Sequence, residues 1–345
     1  LERKKACGLD SIYCSAALRE NVLALTEKVS MLAFLIFLLA IFITEAGLIA
    51  GIIVNLARGE PFRPLLVSRQ ALAIHILAFG VLACLLYAYF AEPYWIEVKK
   101  VEIETPKLDK AVFRIVQISD MHCDTKPRNE ARVVELINAM EPDIIVFTGD
   151  SINTPSALPL FKNTMKSLKA KLAKIAVRGN FDVWYWHDLD LYGDTGFEVL
   201  DKGSKIAGKD GEEIMISGLS CANPDSMKDV LSGVGKDRFS VFAYHYSDFA
   251  ESMADLNVDL YLSGHTHGGQ VALPLYGAVI TLSKFGKKYE AGQYTIGNMI
   301  LYVNRGIGME AGHAPRVRFF ARPEITVFEI RGKQVVNKML DTSSR

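Results

Sequence analysis

The 345-residue chain has no excess of either charge, 39 Lys+Arg against 39 Asp+Glu, so it lacks the basic surplus by which most phosphate-tracking proteins hold nucleic acid. Cysteine is scarce, odd in number and scattered (Cys7, Cys14, Cys84, Cys123, Cys221), which excludes a disulfide framework and agrees with a reducing compartment. There is no internal repeat and no low-complexity tract, so solenoid and disordered classes drop out. Charge as a whole is sparse at 23% of residues, and mean hydropathy is positive at +0.17. That apolar surplus is concentrated near the N-terminus.

Val29 to Val54 is a run of 26 residues with a single charge, Glu45. At ~1.5 Å per residue it makes about 39 Å of helix, longer than a ~30 Å hydrocarbon core. Ala71 to Ala91 adds 21 residues without Asp, Glu, Lys or Arg, and Tyr87, Tyr89, Tyr94 and Trp95 mark an interfacial belt at its end. Both read as transmembrane helices, joined across Pro61 and Pro64 as an antiparallel hairpin. A cleaved signal peptide has a shorter apolar core and no second span behind it, and buried helices of a soluble core, the more serious rival, rarely run this long without charge. Glu45 is either a functional group or a side chain near the end of a tilted span. Lys and Arg flanking the pair place both termini on the cytoplasmic side of the inner membrane. The expected organisation is a tail over 1–28, a hairpin over 29–91 (spans 29–54 and 71–91), a linker with a first strand over 92–112, and a catalytic domain over 113–345.

Beyond residue 112, β-branched runs at 113–119, 143–149 and 174–179 alternate with amphipathic helical stretches at 129–140 and 156–172, the pattern of βαβ units. Further strands are expected at 213–219, 240–245, 260–265, 299–306 and 325–330. Several of these are joined by Gly-rich turns without a helix, so part of the sheet is antiparallel.

The strand ends carry the chemistry. They read Asp120-Met121-His122, Gly149-Asp150, Gly179-Asn180-Phe181-Asp182, His245, and Gly264-His265-Thr266-His267-Gly268. Carboxyl ends of strands in an open α/β sheet line one crevice, and residues i and i+2 of an extended segment project to the same side. Two carboxylates, four imidazoles and an amide would thus converge. Histidine with carboxylate suits borderline divalent ions better than thiolate-seeking ones. Seven ligands overfill one site, whereas two ions sharing an aspartate leave room for solvent and substrate, the arrangement used for in-line displacement at phosphorus. Gly149, Gly179, Gly264, Gly268 and Gly269 let the chain turn sharply beside them.

The ordered set SDMH, TGD, GN-x-D, H and GHTH, spread over about Phe113 to Ile330, resembles the calcineurin-like metallophosphoesterase superfamily. The tail blocks GHTHGGQVALP and VNRGIGMEAGHAPRVRFFARPEITVFEI resemble its membrane-anchored or exported bacterial branch, which includes UDP-2,3-diacylglucosamine pyrophosphatases. The resemblance implies a four-layer αββα sandwich behind the hairpin and two divalent ions, manganese first, with zinc, iron or cobalt as alternatives. It implies one ion on Asp120, His122, Asp150 and His267, and the other on the bridging Asp150 with Asn180, His245 and His265. The nucleophile it implies is a metal-bridging hydroxide held at Asp150 and Asn180. Asp182 would orient a ligand from behind, with Asp248 a candidate for the same role.

One position departs from the pattern. Phe181 stands where many members carry a histidine that protonates the leaving oxygen, and phenylalanine has no proton to give. An alkyl phosphomonoester then loses about 10²–10⁴-fold, while a pyrophosphate, which departs as a stable anion, loses much less. Among the remaining residues, Arg178 and Arg305 are candidates for substrate phosphate, and Lys284, Lys287 and Lys288 are read chiefly as solvated surface. The run Trp184-Tyr185-Trp186 offers a nucleobase or acyl contact or else core and lid packing. His187 and His313 lack ligand spacing, and Cys123 is a packed small side chain. The expected partners are the lipid bilayer and a lipid-linked nucleotide or phospholipid substrate, with no nucleic acid and no obligate protein partner. Alternatives are a broad phosphodiesterase or phospholipid phosphatase, and a non-catalytic membrane scaffold.

Overall fold

A computed structural model of the chain describes residue 29, residues 32–310 and residues 316–332. The expected tail over 1–28, Cys7, Cys14 and His313 lie outside the described residues. The chain divides after Glu92 into two compact units.

The first unit is helical. Helix α1 runs Leu32–Arg58, 27 residues, and stops at Gly59, whose φ of +69° no helix continues. A short α2, Arg63–Val67, starts with Pro64 in its first turn, where a missing N–H costs nothing. Helix α3, Arg69–Phe90, is capped by the Ser68 hydroxyl, which accepts from the Ala71 N–H at 3.3 Å. Large apolar side chains such as Phe37, Ile43, Ile53, Ile76 and Phe79 are exposed along α1 and α3. Glu45, the lone charge of α1, is held by its neighbour. Its carboxylate lies 2.8 Å from His75 Nδ1 on α3, and His75 Nε2 donates to the Leu65 carbonyl at 3.1 Å. Neither sequence reading of Glu45 anticipated this inter-helix partner.

The second unit is built on two mixed sheets. In chain order its elements are β1 (Glu97–Thr105), β2 (Val112–Ile118), α4 (Glu130–Ala139), β3 (Ile144–Phe147), α5 (Leu158–Ser167), β4 (Ala173–Ala176), α6 (Asn180–Trp184), β5 (Glu198–Val199), β6 (Lys202–Lys209) and β7 (Glu212–Leu219). They continue with α7 (Met227–Leu231), β8 (Phe239–Tyr244), β9 (Leu260–Ser263), the small hairpin β10 (Ala272–Leu273) and β11 (Gly277–Ala278), β12 (Gly292–Ile296), β13 (Met299–Val303) and β14 (Glu324–Gly332). The first sheet has order β1-β14-β2-β3-β4-β5 and the second β12-β13-β9-β8-β7-β6. Strands β2 to β5 are parallel, as are β7, β8, β9 and β13, so the carboxyl ends of each set lie side by side.

Period-two alternation divides each strand between two cores. Phe113, Ile115, Ile144 and Val146 of the first sheet meet Ile216, Val241, Ala243 and Leu262 of the second in the central layer. The intervening Val116, Ile118, Ile145 and Phe147 turn outward onto Val133 and Ile137 of α4 and Phe161 and Met165 of α5. Phe242, Tyr244 and Tyr261 pack outward beneath Met227, Val230 and Leu231 of α7.

Strands β2, β3, β4 and β9 end one to three residues short of the sequence-based bounds, because their last residues leave the ladder to form the site. The helix expected over 156–172 shortens to α5. Lys171 and Leu172 give their N–H groups to the carbonyls of Pro142 and Asp143 instead. The sequence reading missed β6 and β12. Both are edge strands in which glycine, lysine or threonine interrupts the apolar pattern.

Beneath the site lies Arg318, fully buried with its guanidinium spent on main-chain oxygens. It donates to Gly308 (3.0 Å from Nε), Ala321 (2.7 Å from Nη1) and Arg305 (2.9 Å from Nη2). Arg318→Ala strands these carbonyls, and we expect a loss of about 3 kcal/mol or more, read by chemical denaturation of the full chain in detergent.

A candidate dinuclear metal centre

Three of the ligand-bearing segments, those after β2, β3 and β9, leave their strands through a backbone conformation that most residues avoid. Asp120, His122, Asp150, His265 and His267 have φ of 47°, 37°, 61°, 72° and 53°. Left-handed geometry costs an L-residue about 1–2 kcal/mol. Here it tips five side chains off the strand ends toward one point.

Neighbouring glycines make room for these turns. A Cβ on Gly179 would stand 2.2 Å from Asp150 Oδ1, one on Gly264 2.4 Å from Asp120 Oδ2, and one on Gly308 2.1 Å from the Met121 carbonyl oxygen. Asp182 closes the arrangement from behind. Its carboxylate accepts from the N–H groups of Gly179 (3.0 Å), Asp150 (3.0 Å) and Ser151 (2.9 Å), tying the turn after β4 to the turn after β3. Burial, and then the Asp150 carboxylate, push Asp182 up to about 6.

Two clusters result. Ligand atoms of Asp120, His122 and His267 lie within 4.8 Å of one another, as do those of Asp150, His245 and His265. Asp150 stands between the two sets, with Oδ2 3.5 Å from His122 Nε2 and 3.3 Å from His245 Nε2. Asn180, the first residue of α6, is buried beside them. The Phe181 N–H donates to Asp150 Oδ1 at 2.9 Å.

Each imidazole is oriented through its far nitrogen, the usual arrangement for a metal-binding histidine. His122 Nδ1 meets the Asn153 amide oxygen at 3.1 Å, His245 Nδ1 the Thr148 carbonyl at 2.7 Å, and His265 Nε2 the Leu282 carbonyl at 3.1 Å. Nδ1 of His267 lies 3.4 Å from Arg318 Nη2. The inward atoms His122 Nε2, His245 Nε2 and Asn180 Oδ1 are buried without a hydrogen-bond partner among the described residues. Buried polar atoms are rarely orphaned; these are atoms of metal-ligating types, and the two imidazole nitrogens face the Asp150 carboxylate. The residues present fit a pair of divalent cations.

The electrostatics agree with that fit. Burial drives His122 and His265 down to about 4, so both rings are neutral and free to donate a lone pair at neutral pH. Burial pushes the Asp120 carboxyl up, but His267, His245 and His122 overcome this and hold it far below the carboxylate range. His245 is lowered by burial but raised more by Asp150 and Asp120, to about 10.

The other sequence candidates are placed differently. Arg305 is committed to Glu324 (2.6 Å) and Glu97 (2.6 Å), and its stem packs under Gly268. Arg178 lies 3.6 Å from Asp201 and borders an open cavity of ≈ 450 Å³ lined also by Tyr192 and Phe197. Trp184 is exposed and meets Tyr185 edge-on, while Trp186 Nε1 donates to the Ile152 carbonyl. Lys287 reaches the Ala278 carbonyl, Lys288 pairs with Glu251, and the Lys284 N–H reaches Asp248 at 3.4 Å. His187 pairs with exposed Asp188. Cys123 is buried among the residues under α4.

Sequence reasoning missed Asn153. Besides receiving from His122 Nδ1, its amide donates to the carbonyls of His122 (2.8 Å) and Met309 (3.1 Å). Its only sequence signal is its place three residues after Asp150.

Because His245 keeps a proton on the atom that faces the site below pH of about 10, a cation must expel it. Metal affinity should therefore rise about tenfold per pH unit through neutrality, and calorimetry in buffers of different ionisation enthalpy should count a proton released on uptake. No release would contradict the assignment of Nε2 as the ligand atom.

Residues 113–269 match the family model for the calcineurin-like phosphoesterases. The chain is 37% identical over 269 residues to the uncharacterized metallophosphoesterase YkuE of Bacillus subtilis, covering 71% of this chain and 89% of that one. It is 27% identical to the phosphodiesterase YaeI of Escherichia coli, covering 71% of this chain and 92% of that protein. It is 26% identical to the UDP-2,3-diacylglucosamine pyrophosphatase LpxG of Chlamydia trachomatis, covering 72% and 93%. The paired clusters and these matches make it a metal-dependent phosphoesterase and set aside the non-catalytic scaffold. With a relative at 37% identity over most of its length and the ligand blocks assembled at one place, the chain belongs to the calcineurin-like metallophosphoesterase family.

Proposed function

We propose that the protein hydrolyses a phosphoanhydride or phosphodiester of a lipid-bearing substrate at a membrane surface. The foremost substrate is UDP-2,3-diacylglucosamine, split to UMP and 2,3-diacylglucosamine 1-phosphate. The observation that carries this reading is Phe181. Its ring stands edge-on to His122 at 4.8 Å between centroids and edge-on to Tyr185 at 5.1 Å. An apolar wall thus occupies the rim where a proton donor would serve a poor leaving group. A phosphoanhydride needs no such donor, since its leaving phosphate is stable as an anion.

Two divalent cations, manganese first among the ions this donor set accepts, supply Lewis acidity and a water of lowered pKa when bound. Asp120, His122 and His267 would hold one, and Asn180, His245 and His265 the other, with Asp150 shared. The chain's own part is orientation. Asp182 fixes the turns that carry Asp150 and Asn180, Asn153 and the carbonyls of Thr148 and Leu282 set the imidazole planes, and Phe181 keeps water from the rim. The membrane part of the reading is supported by α1 and α3, of 27 and 22 residues, against the ~20 that a bilayer core requires. The names of the Escherichia coli and Chlamydia relatives support diester and anhydride cleavage respectively.

The test is a substrate panel on the full chain in mixed micelles with manganese, comparing the UDP-lipid, bis-p-nitrophenyl phosphate and phosphatidic acid. We expect the monoester to trail by about 10²-fold or more. Phosphatidic acid as the best substrate would overturn the reading, as would a catalytic unit found on the outer side of the membrane. Phe181→His should raise monoester turnover by about 10²-fold and leave anhydride turnover within a few-fold.

A further inference from the structure

Three loops meet around Gly269 and Val271, next to His267. A Cβ on Gly269 would come within 2.4 Å of Ala278 Cβ and 2.9 Å of the Ile280 carbonyl oxygen. Val271 bridges to Phe319 and accepts from the Val279 N–H at 3.0 Å. Each loop carries one large apolar side chain outward: Leu275 is fully exposed, Leu282 67% and Phe320 59% exposed.

All three have left-handed backbones, with φ of 66°, 52° and 51°. Among the described residues nine others without a glycine share that region, and every one of them is Asp, Glu, His or Gln. Leucine and phenylalanine are poor choices there, where asparagine, aspartate or glycine relieves the strain. The loops are thus strained and apolar at once, and water rewards neither property.

The surroundings indicate what does. Residues 270–290 carry Lys284, Lys287 and Lys288, of which Lys287 lies 3.6 Å from Glu290 and Lys288 pairs with Glu251 at the surface. The Lys287 ammonium lies 3.7 Å over the ring of half-exposed Tyr276. On the Phe320 loop, Arg322 stacks over exposed Trp95 at 4.1 Å and donates to its carbonyl at 3.1 Å. Trp95 is two residues past the start of this unit. Exposed apolar tips on loops that also carry lysine, arginine, tyrosine and tryptophan match the boundary between headgroups and acyl chains of an anionic bilayer.

We propose that this face of the catalytic unit docks on an anionic lipid surface, with Leu275, Leu282 and Phe320 entering the acyl boundary, so that the metal centre opens beside the headgroups. The proposal rests on the membrane reading above. The test uses the full chain in vesicles of phosphatidylethanolamine and phosphatidylglycerol, with native cysteines replaced. An environment-sensitive fluorophore is placed at Leu275→Cys or Phe320→Cys, with Glu135→Cys on α4 as control. Both loop probes should shift to the blue and be quenched by lipids bearing a spin label near the headgroup, and the control should not. Substituting phosphatidylcholine for phosphatidylglycerol should weaken the quenching.

Loop probes that match the control, on a chain that resists alkaline carbonate extraction, overturn the docking and spare the membrane reading. A chain released by carbonate overturns both. A blue shift that tracks protein concentration and not lipid makes the face a protein interface and also overturns the proposal. The double variant Leu275→Asp/Phe320→Asp relieves strain and should melt no lower than the parent. It should lose about tenfold in turnover of a vesicle-embedded substrate and nothing on bis-p-nitrophenyl phosphate. Equal losses on both substrates, or none on either, would overturn it.

Discussion

The buried ligand cluster is the constraint on which the rest of the catalytic unit depends. Asp120, His122, Asp150, Asn180, His245 and His267 are all at most 6% exposed, and three of their inward-facing atoms have no hydrogen-bond partner among the described residues. Such a concentration of unmet polar atoms is costly, and it lies at the carboxyl ends of strands whose backbones are bent out of their preferred region. The two sheets supply the rigidity that keeps it in place. Their central layer is closely packed, and the glycines beside the ligands leave no room for relaxation.

Around the cluster, hydrogen bonds convert a collection of ligands into a shaped site. Asp182 joins two turns through three N–H groups, and Arg318 gathers the carbonyls of the loop that follows β13. The imidazoles take their planes from Asn153, Thr148 and Leu282. Ligand geometry is therefore set by residues that touch no cation, and the anchoring of Arg305 to Glu97 and Glu324 extends the same scaffold to β1 and β14.

Phe181 and the loops bearing Leu275, Leu282 and Phe320 express one theme at different distances from the chemistry. Each puts an apolar side chain where the surroundings favour a polar one. At Phe181 the consequence is a rim residue with no proton to give. On the loops it is exposed apolar side chains in segments that also hold lysine and arginine.

Local chemistry was legible along the chain, because metal ligation demands particular residue types at strand ends. Asp120, His122, Asp150, Asn180, His265 and His267 could be listed from D-x-H, G-D, G-N and G-H-T-H, His245 from its place at a strand end, and short β-branched runs located the strands that carry them. Apolar length likewise marked α1 and α3. What the one-dimensional pattern could not contain was partnership. Glu45 finds His75 across 30 positions, His122 finds Asn153 across 31, and Arg305 finds Glu97 across 208. Such pairs depend on which helices or strands lie side by side, and that is settled by tertiary packing. The edge strands β6 and β12 were hidden for a related reason, since an edge is paired on one side and carries a weaker apolar signature. Ligand identity was thus written in the residues, whereas their orientation, the fate of the arginines and the strained apolar loops were decided only when distant segments met.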